Sequence, residues 1–219
     1  MLPQPAITDD PDTRQRLLEA AGLVFAEHGF RGATVRDICQ RANANVAAIH
    51  YHFGDKESLY RAVLRSAFDA AEARHPRTGV VAPGASPEEE LLAFVSAFLG
   101  RIYGGGVPAW LMTILSREMF EPTGALAELV DAVHRPTIEH LRGIVRRVGG
   151  SGLCDEDALR CTQAVVAQCV FYKHAQAVLR LMGHAQPDSP GEIDRLARQI
   201  ARFSIAGIRD SAAERREAR

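Results

Sequence analysis

The residues best equipped for chemistry lie in TVRDICQRANANVAAIHYHFGDKESLY, Thr34 to Tyr60. Val35, Ile38, Ala42, Val46, Ile49 and Phe53 recur at helical spacing and would lock two short helices together across a tight turn. A second helix held in this way can enter a DNA major groove. The side chains left facing outward from it are small or polar: Asn45, Ala47, Ala48, His50, Tyr51 and His52. His50 and His52 diverge by about 200° on a helix, so they cannot share a metal ion. Other chemistries lack their residues. The chain has no G-x-S-x-G, no H-E-x-x-H and no phosphate-cradling glycine loop followed by Lys, which speaks against an enzyme and against a bound cofactor. Cys39, Cys154, Cys161 and Cys169 form no C-x-x-C pair and read as small buried hydrophobes. A metal- or redox-responsive regulator built on Cys154, Cys161, Cys169, His134, His140, His174 or His184 stays open as a rival. Cys154 and Cys161, however, are separated by about 10 Å of helical rise.

The elements that must position these residues read as helices throughout, with no convincing strand alternation. Residues 1–12 read as a disordered tail. A first helix starts at Thr13 as N-cap, carries Leu17, Ala21, Val24 and Phe25 on one stripe, and ends at Gly29. Thr34 caps a second helix. Asn43 sits at the turn, where a residue tolerant of left-handed backbone is needed. The third helix covers Asn45–Phe53, and a fourth runs from its N-cap Asp55 to Arg74. Residues 75–87 concentrate Pro and Gly and read as a flexible connection. Five further helices follow: Glu88–Tyr103, Pro108–Phe120, Pro122–Val148 with a kink at Pro136, Asp155–Met182 and Glu192–Ser211. The expectation is an all-α chain of about nine helices. A helix-turn-helix domain at 13–60 is joined through the fourth helix to a helical body at 61–219.

Bulk properties set limits. With 47% hydrophobic and 24% charged residues among 219, the composition is that of an ordinary globular chain, and a net charge of −1 gives no overall pull toward nucleic acid. The distribution says more: residues 13–65 hold eight cations against five anions. No apolar run approaches the roughly 18 residues a membrane span needs. The start, MLPQPAITDDPDT, lacks the basic and apolar regions of a secretion signal, so a cytoplasmic protein is expected.

The segment Thr13–Leu64 resembles the N-terminal domain of the TetR family of bacterial repressors, through the pattern T-VRDI-x-x-x-A, the segment ending in Phe53 and the DKESLY start of the fourth helix. The resemblance implies a homodimer that binds double-stranded operator DNA and is released by a small-molecule effector. Carried over by position, Thr34, Arg36, Tyr51 and Lys56 would touch phosphates, which set register rather than sequence preference. Asn45, Ala47, Ala48 and His50 would read bases, Asn by pairing with adenine and alanine methyls by packing on thymine methyls. The family often has a polar residue in place of Val46 and a glycine in place of Asn43.

The body, through Pro108–Pro136 and Val165–Gly183, resembles the C-terminal domain of the CecR-like branch of that family, which implies efflux or transport genes as targets. Polar groups among aromatics at Trp110, Ile114, Arg117 and Phe120, and at Gln168, Phe171, Tyr172 and His174, suggest the lining of a ligand cavity. For Arg117, with Glu118 beside it in the same apolar helix, a structural ion pair is the favoured reading, and the helix that carries the second group can equally form a dimer seam. The apolar stripes of the last two helices are wider than one neighbour can cover. Val170, Ala177, Leu181, Ile193, Ile200, Phe203, Ser204 and Gly207 are therefore expected at a two-fold interface.

Overall fold

The computed structural model describes residues 11–105, 107–184 and 187–217. The expected tail at 1–12 lies outside them except for its last two residues. All regular structure among the described residues is helical, in eleven α-helices with one π and one 3-10 segment. They are α1 (Pro11–Gly32), α2 (Val35–Ala42), α3 (Val46–Phe53), α4 (Lys56–Arg74), α5 (Pro87–Tyr103), α6 (Ala109–Phe120), α7 (Gly124–Leu129), α8 (Arg135–Gly149), α9 (Asp155–His174), α10 (Gln176–Leu181) and α11 (Pro190–Glu217).

The chain divides into two compact units. The first comprises residues up to Ala70 together with Val107–Ala132, so α6 and α7 join the helix-turn-helix head rather than the body. Its core gathers Leu17, Phe25, Ile38, Ile49, Leu59, Val63, Leu111 and Ile114. Phe25 and Tyr60 meet edge to face, with ring centroids 4.8 Å apart. Such a pair adds about 1 kcal/mol beyond its buried area. Trp110 lies against α1 at Gly22, where an added Cβ would stand 2.5 Å from the indole. The glycine is required by that close approach.

Local signals act as the residue types predict. Gly29 leaves helical geometry at φ +71° inside α1. Thr34 and Asp37 form a reciprocal capping box at the start of α2. Asn43 adopts φ 49°, ψ 50°, and the Asp55 carboxylate accepts from Ser58 N–H at 2.7 Å.

The second unit, residues 71–106 and 133–219, buries Leu91, Phe94, Val95, Leu99, Leu141, Ile144, Val165, Cys169 and Ile200. Two expected helices are interrupted. At the position of the expected kink, just before Pro136, the helix widens into a π turn, Val130–His134, ahead of α8. Proline has no N–H to return to the carbonyl four residues back, and the wider π turn accommodates that loss. The expected helix Asp155–Met182 breaks at Ala175 (φ −84°, ψ 6°) into α9 and α10, and Gly183 at φ +79° closes α10.

Candidate nucleic-acid interface

The head presents α3 on a two-helix support. Asn45 is the N-cap of α3, and its Oδ1 accepts from Ala48 N–H at 2.8 Å. That bond takes one lone pair of the amide oxygen and orients the side chain toward its own helix. The faces of α3 differ from expectation in one respect. Val46, expected to lock the helices, is 42% exposed, while Ala48, expected outward, is only 7% exposed. Ile49 fixes the rotation: it is fully buried, and the residue beside it turns into the α2 contact. A small side chain suits that position, where the helices approach closely. Val46, Ala47, His50 and Tyr51 form the exposed side of the helix.

The His50 ring is fixed by Gly54: Nδ1 lies 2.7 Å from the Gly54 carbonyl oxygen. A carbonyl only accepts, so Nδ1 carries the proton and Nε2 of the neutral ring is an acceptor. The Tyr51 ring is exposed and meets His52 edge on at 4.9 Å. Arg36 is exposed at the start of α2. Thr34 Oγ1 both accepts from Asp37 N–H and donates to Asp37 Oδ2. Lys56 Nζ donates to the carbonyls of Phe30 (2.9 Å) and Ala33 (3.1 Å), so two of its three protons stay within the head.

Glu118, read with Arg117 as a structural ion pair, is instead held by neutral donors inside the head. Glu118 is 2% exposed, and three donors hold its carboxylate: Tyr60 O–H at 2.6 Å and Thr123 O–H at 2.8 Å on Oε1, and Thr123 N–H at 2.8 Å on Oε2. Burial and the adjoining carboxylate push the Tyr60 phenol well above the ordinary tyrosine range. Leu111, Ile114 and Glu118 fall on one helical stripe, and that spacing marked the position as inward.

The other expected sites are divided between the units. Trp110 and Ile114 pack into the core of the first, Arg117 donates to the main-chain oxygen of Glu27 at 3.1 Å, and Phe120 is 85% exposed. These four do not line a ligand-sized space within their unit, where the cavity beside Ile114 and Arg117 holds only about 20 Å³. In the second unit, Gln168 donates to Ser204 Oγ at 3.1 Å, Tyr172 packs on the core, and His174 Nδ1 lies 3.1 Å from Val170 O. An open groove of about 830 Å³ lies elsewhere in that unit, between residues 79–85, α5 and the start of α11, with Arg74, Leu92, Ser96 and Arg198 on its walls. None of the expected ligand residues lines it. Of the expected interface residues, Leu181 (89%) and Phe203 (71%) are bare, and Ala177 and Gly207 are exposed. Ile200 and Ile193 instead belong to their own core, because α11 packs that stripe against α5 and α9. Ser204 is buried and Val170 half-buried.

The profile of Bacterial regulatory proteins, tetR family, matches residues 17–63, and that of HTH-type transcriptional dual regulator CecR, C-terminal domain, matches residues 87–208. The chain belongs to the TetR family. The HTH-type transcriptional repressor NicS of Pseudomonas putida is 37% identical over 170 residues, 73% of this chain and 75% of that protein. The repressor AcnR of Corynebacterium glutamicum is 48% identical over 67 residues, 30% of this chain and only 35% of that protein. The TetR-like fold recurs in AibR, solved with isovaleryl coenzyme A and operator DNA (TM-score 0.62, 18% identity, 87% of this chain and 97% of that one). These relatives are regulators of transcription, not enzymes.

Proposed function

We propose that this TetR-family chain is a homodimeric repressor that grips operator DNA through α3 and the start of α2 and is released when a small molecule binds its second unit. The observation that carries the DNA reading is the exposed side of α3, formed by Val46, Ala47, His50 and Tyr51 on a capped helix whose opposite face is locked to α2. Thr34, Arg36 and Tyr51 serve phosphates. The methyl groups of Val46 and Ala47 suit thymine C5-methyls, and His50 Nε2, as an acceptor, suits the N6 amine of adenine or the N4 amine of cytosine. Ala48 is withdrawn from the base readers by its burial, and Asn45 divides its side chain between the cap of α3 and the DNA.

The partner surface is the bare apolar set Phe171, Val178, Leu181, Met182 and Phe203, which a second copy would cover. The effector reading is supported by the groove of about 830 Å³, inside the range of drug-sized sites. Efflux or transport genes are the proposed targets, following the CecR-type body. No helix among the described residues is long and apolar enough to cross a membrane. A chromosome-binding role places the protein in the cytoplasm. Fluorescence titration of the protein against its own upstream region tests the reading. Salt-sensitive, sequence-preferring binding is expected, and binding that ignores sequence would dispose of the operator function.

A further inference from the structure

The positive charge of the head is unevenly available. Of the eight cations between residues 13 and 65, four are engaged inside the unit. Arg16 bonds Asp12 and the carbonyl of Ala42. Arg41 reaches both carboxylate oxygens of Glu27 at 2.7 Å. Arg61 pairs with Glu57 at 2.6 Å and Glu128 at 3.1 Å. Lys56, besides its two carbonyl bonds, stands 4.7 Å over the Phe30 ring.

Arg14 differs. It is exposed in the first turns of α1, and no carboxylate among the described residues is within ion-pair distance of it. Its guanidinium carbon lies 5.3 Å from the centroid of the Phe53 ring. Phe53 is the last residue of α3, so a cation distant in sequence is delivered to the end of the recognition helix. A guanidinium held near an aromatic ring makes no hydrogen bond to it, so its N–H groups stay available to meet a phosphate two-pronged. The ring also restricts the long side chain in advance, so less freedom is lost on contact.

We propose that Arg14, held on Phe53, contacts a DNA phosphate beside the C-terminal end of the recognition helix, while Lys56 works inside the head and contributes no phosphate contact. The inference rests on the DNA-binding reading above. Each phosphate neutralised steepens the fall of log Kobs with log[salt] by about 0.9. The test measures anisotropy of a labelled random-sequence duplex about three helical turns long, over a salt series, for wild type, Arg14→Gln, Arg14→Lys and Lys56→Gln. Random sequence isolates the phosphate contribution from base reading.

Per head, Arg14→Gln should flatten the slope by about one and weaken binding several-fold at low salt, with an unchanged thermal midpoint. Arg14→Lys keeps the charge and should keep the slope. Lys56→Gln should lower the thermal midpoint and leave the slope as in wild type. A wild-type slope in Arg14→Gln overturns the assignment of Arg14, and a flattened slope in Lys56→Gln overturns that of Lys56. If wild type itself binds the duplex without salt dependence, the DNA-binding reading fails and takes this assignment with it.

Discussion

The two units treat their surfaces in opposite ways. The first resolves its buried polarity internally, with Glu118 satisfied by Tyr60 and Thr123 across 58 residues of sequence, and offers a recognition helix edged by cations. The second bonds its buried Thr162 hydroxyl to the Ala158 carbonyl one turn away at 2.7 Å, and leaves Phe171, Leu181 and Phe203 uncovered. A surface of phosphate-seeking cations needs water and nucleic acid on its other side. One of bare aromatic and aliphatic groups is stabilised only when another apolar surface covers it. The contrast fits the proposed division of partners, DNA for the first unit and a second copy of the chain for the second.

The largest effect should come from breaking the second half of that contrast. Replacing both Leu181 and Phe203 by Asp puts charges into an apolar interface, where truncating one central anchor alone typically costs 2 kcal/mol or more. Sedimentation velocity should show the dimer of the unmodified chain replaced by a monomer of native helicity. A variant that still sediments as a dimer would place the interface elsewhere. Next in size is Glu118→Ala, which leaves the Tyr60 hydroxyl and the Thr123 amide without their acceptor inside the first unit. The loss should be about 2–3 kcal/mol, read as a fall in the denaturant midpoint at unchanged slope.

The same contrast explains what could be read from the sequence. Caps and turns were legible because their cause is local. Thr34, Asn43 and Asp55 each act through residues within four positions and hold their expected roles. Gly29, by contrast, breaks the helical geometry inside α1 without ending it, and Thr13 lies within α1, which starts at Pro11. Family membership was legible because the recognition segment is a contiguous string. Rotation of a short helix was not. The eight residues of α3 make barely two turns, so an error of one residue, about 100°, exchanges Val46 and Ala48 between faces. The break at Ala175 has no Gly or Pro to announce it. The grouping of α6 and α7 with the head depends on Trp110 meeting Gly22 and Glu118 meeting Tyr60, pairings between residues far apart in sequence. For the ligand residues, polar groups among aromatics proved an ambiguous signal, since the same pattern marks a satisfied core. Arg117 and Glu118 stood out together, but only Glu118 is buried, and Arg117 bonds a main-chain carbonyl instead.

A smaller effect separates the two duties of Asn45. Asn45→Ala removes the acceptor that holds Ala48 N–H at the start of α3, which should cost about 1 kcal/mol of stability. Asn45→Asp keeps a capping oxygen and removes the NH2. If Asn45 acts only as a cap, the Asp variant should match wild type in stability and, after allowance for its added charge through the salt slope, in sequence preference. A changed ranking of operator variants would mark it as a base reader.

The finest discrimination between the units comes from their tyrosines. Tyr60 and Tyr103 both ionise above the ordinary value of 10, for different reasons. In the second unit, burial first and then the neighbouring Tyr172 and Cys169 push Tyr103 up to about 12. In the first unit, burial combines with a carboxylate that accepts the phenol proton at 2.6 Å. A phenol whose pKa is higher in the folded chain than in the unfolded one contributes stability that is fully present below pH 10. That contribution falls as pH rises toward the folded value, because the unfolded chain releases the proton first. For Tyr60 the loss should reach up to about 1.4 kcal/mol per pH unit above 10. Tyr60→Phe should therefore be less stable than wild type at neutral pH, since Glu118 loses a donor, yet decline less steeply in alkali. Tyr103→Phe should flatten the decline less, because the Tyr103 hydroxyl is raised by burial first and has no fixed acceptor among the described residues. Denaturant midpoints measured from pH 8 to 11 would decide; equal alkaline slopes for Tyr60→Phe and wild type would mean that the Tyr60–Glu118 bond does not hold the first unit together.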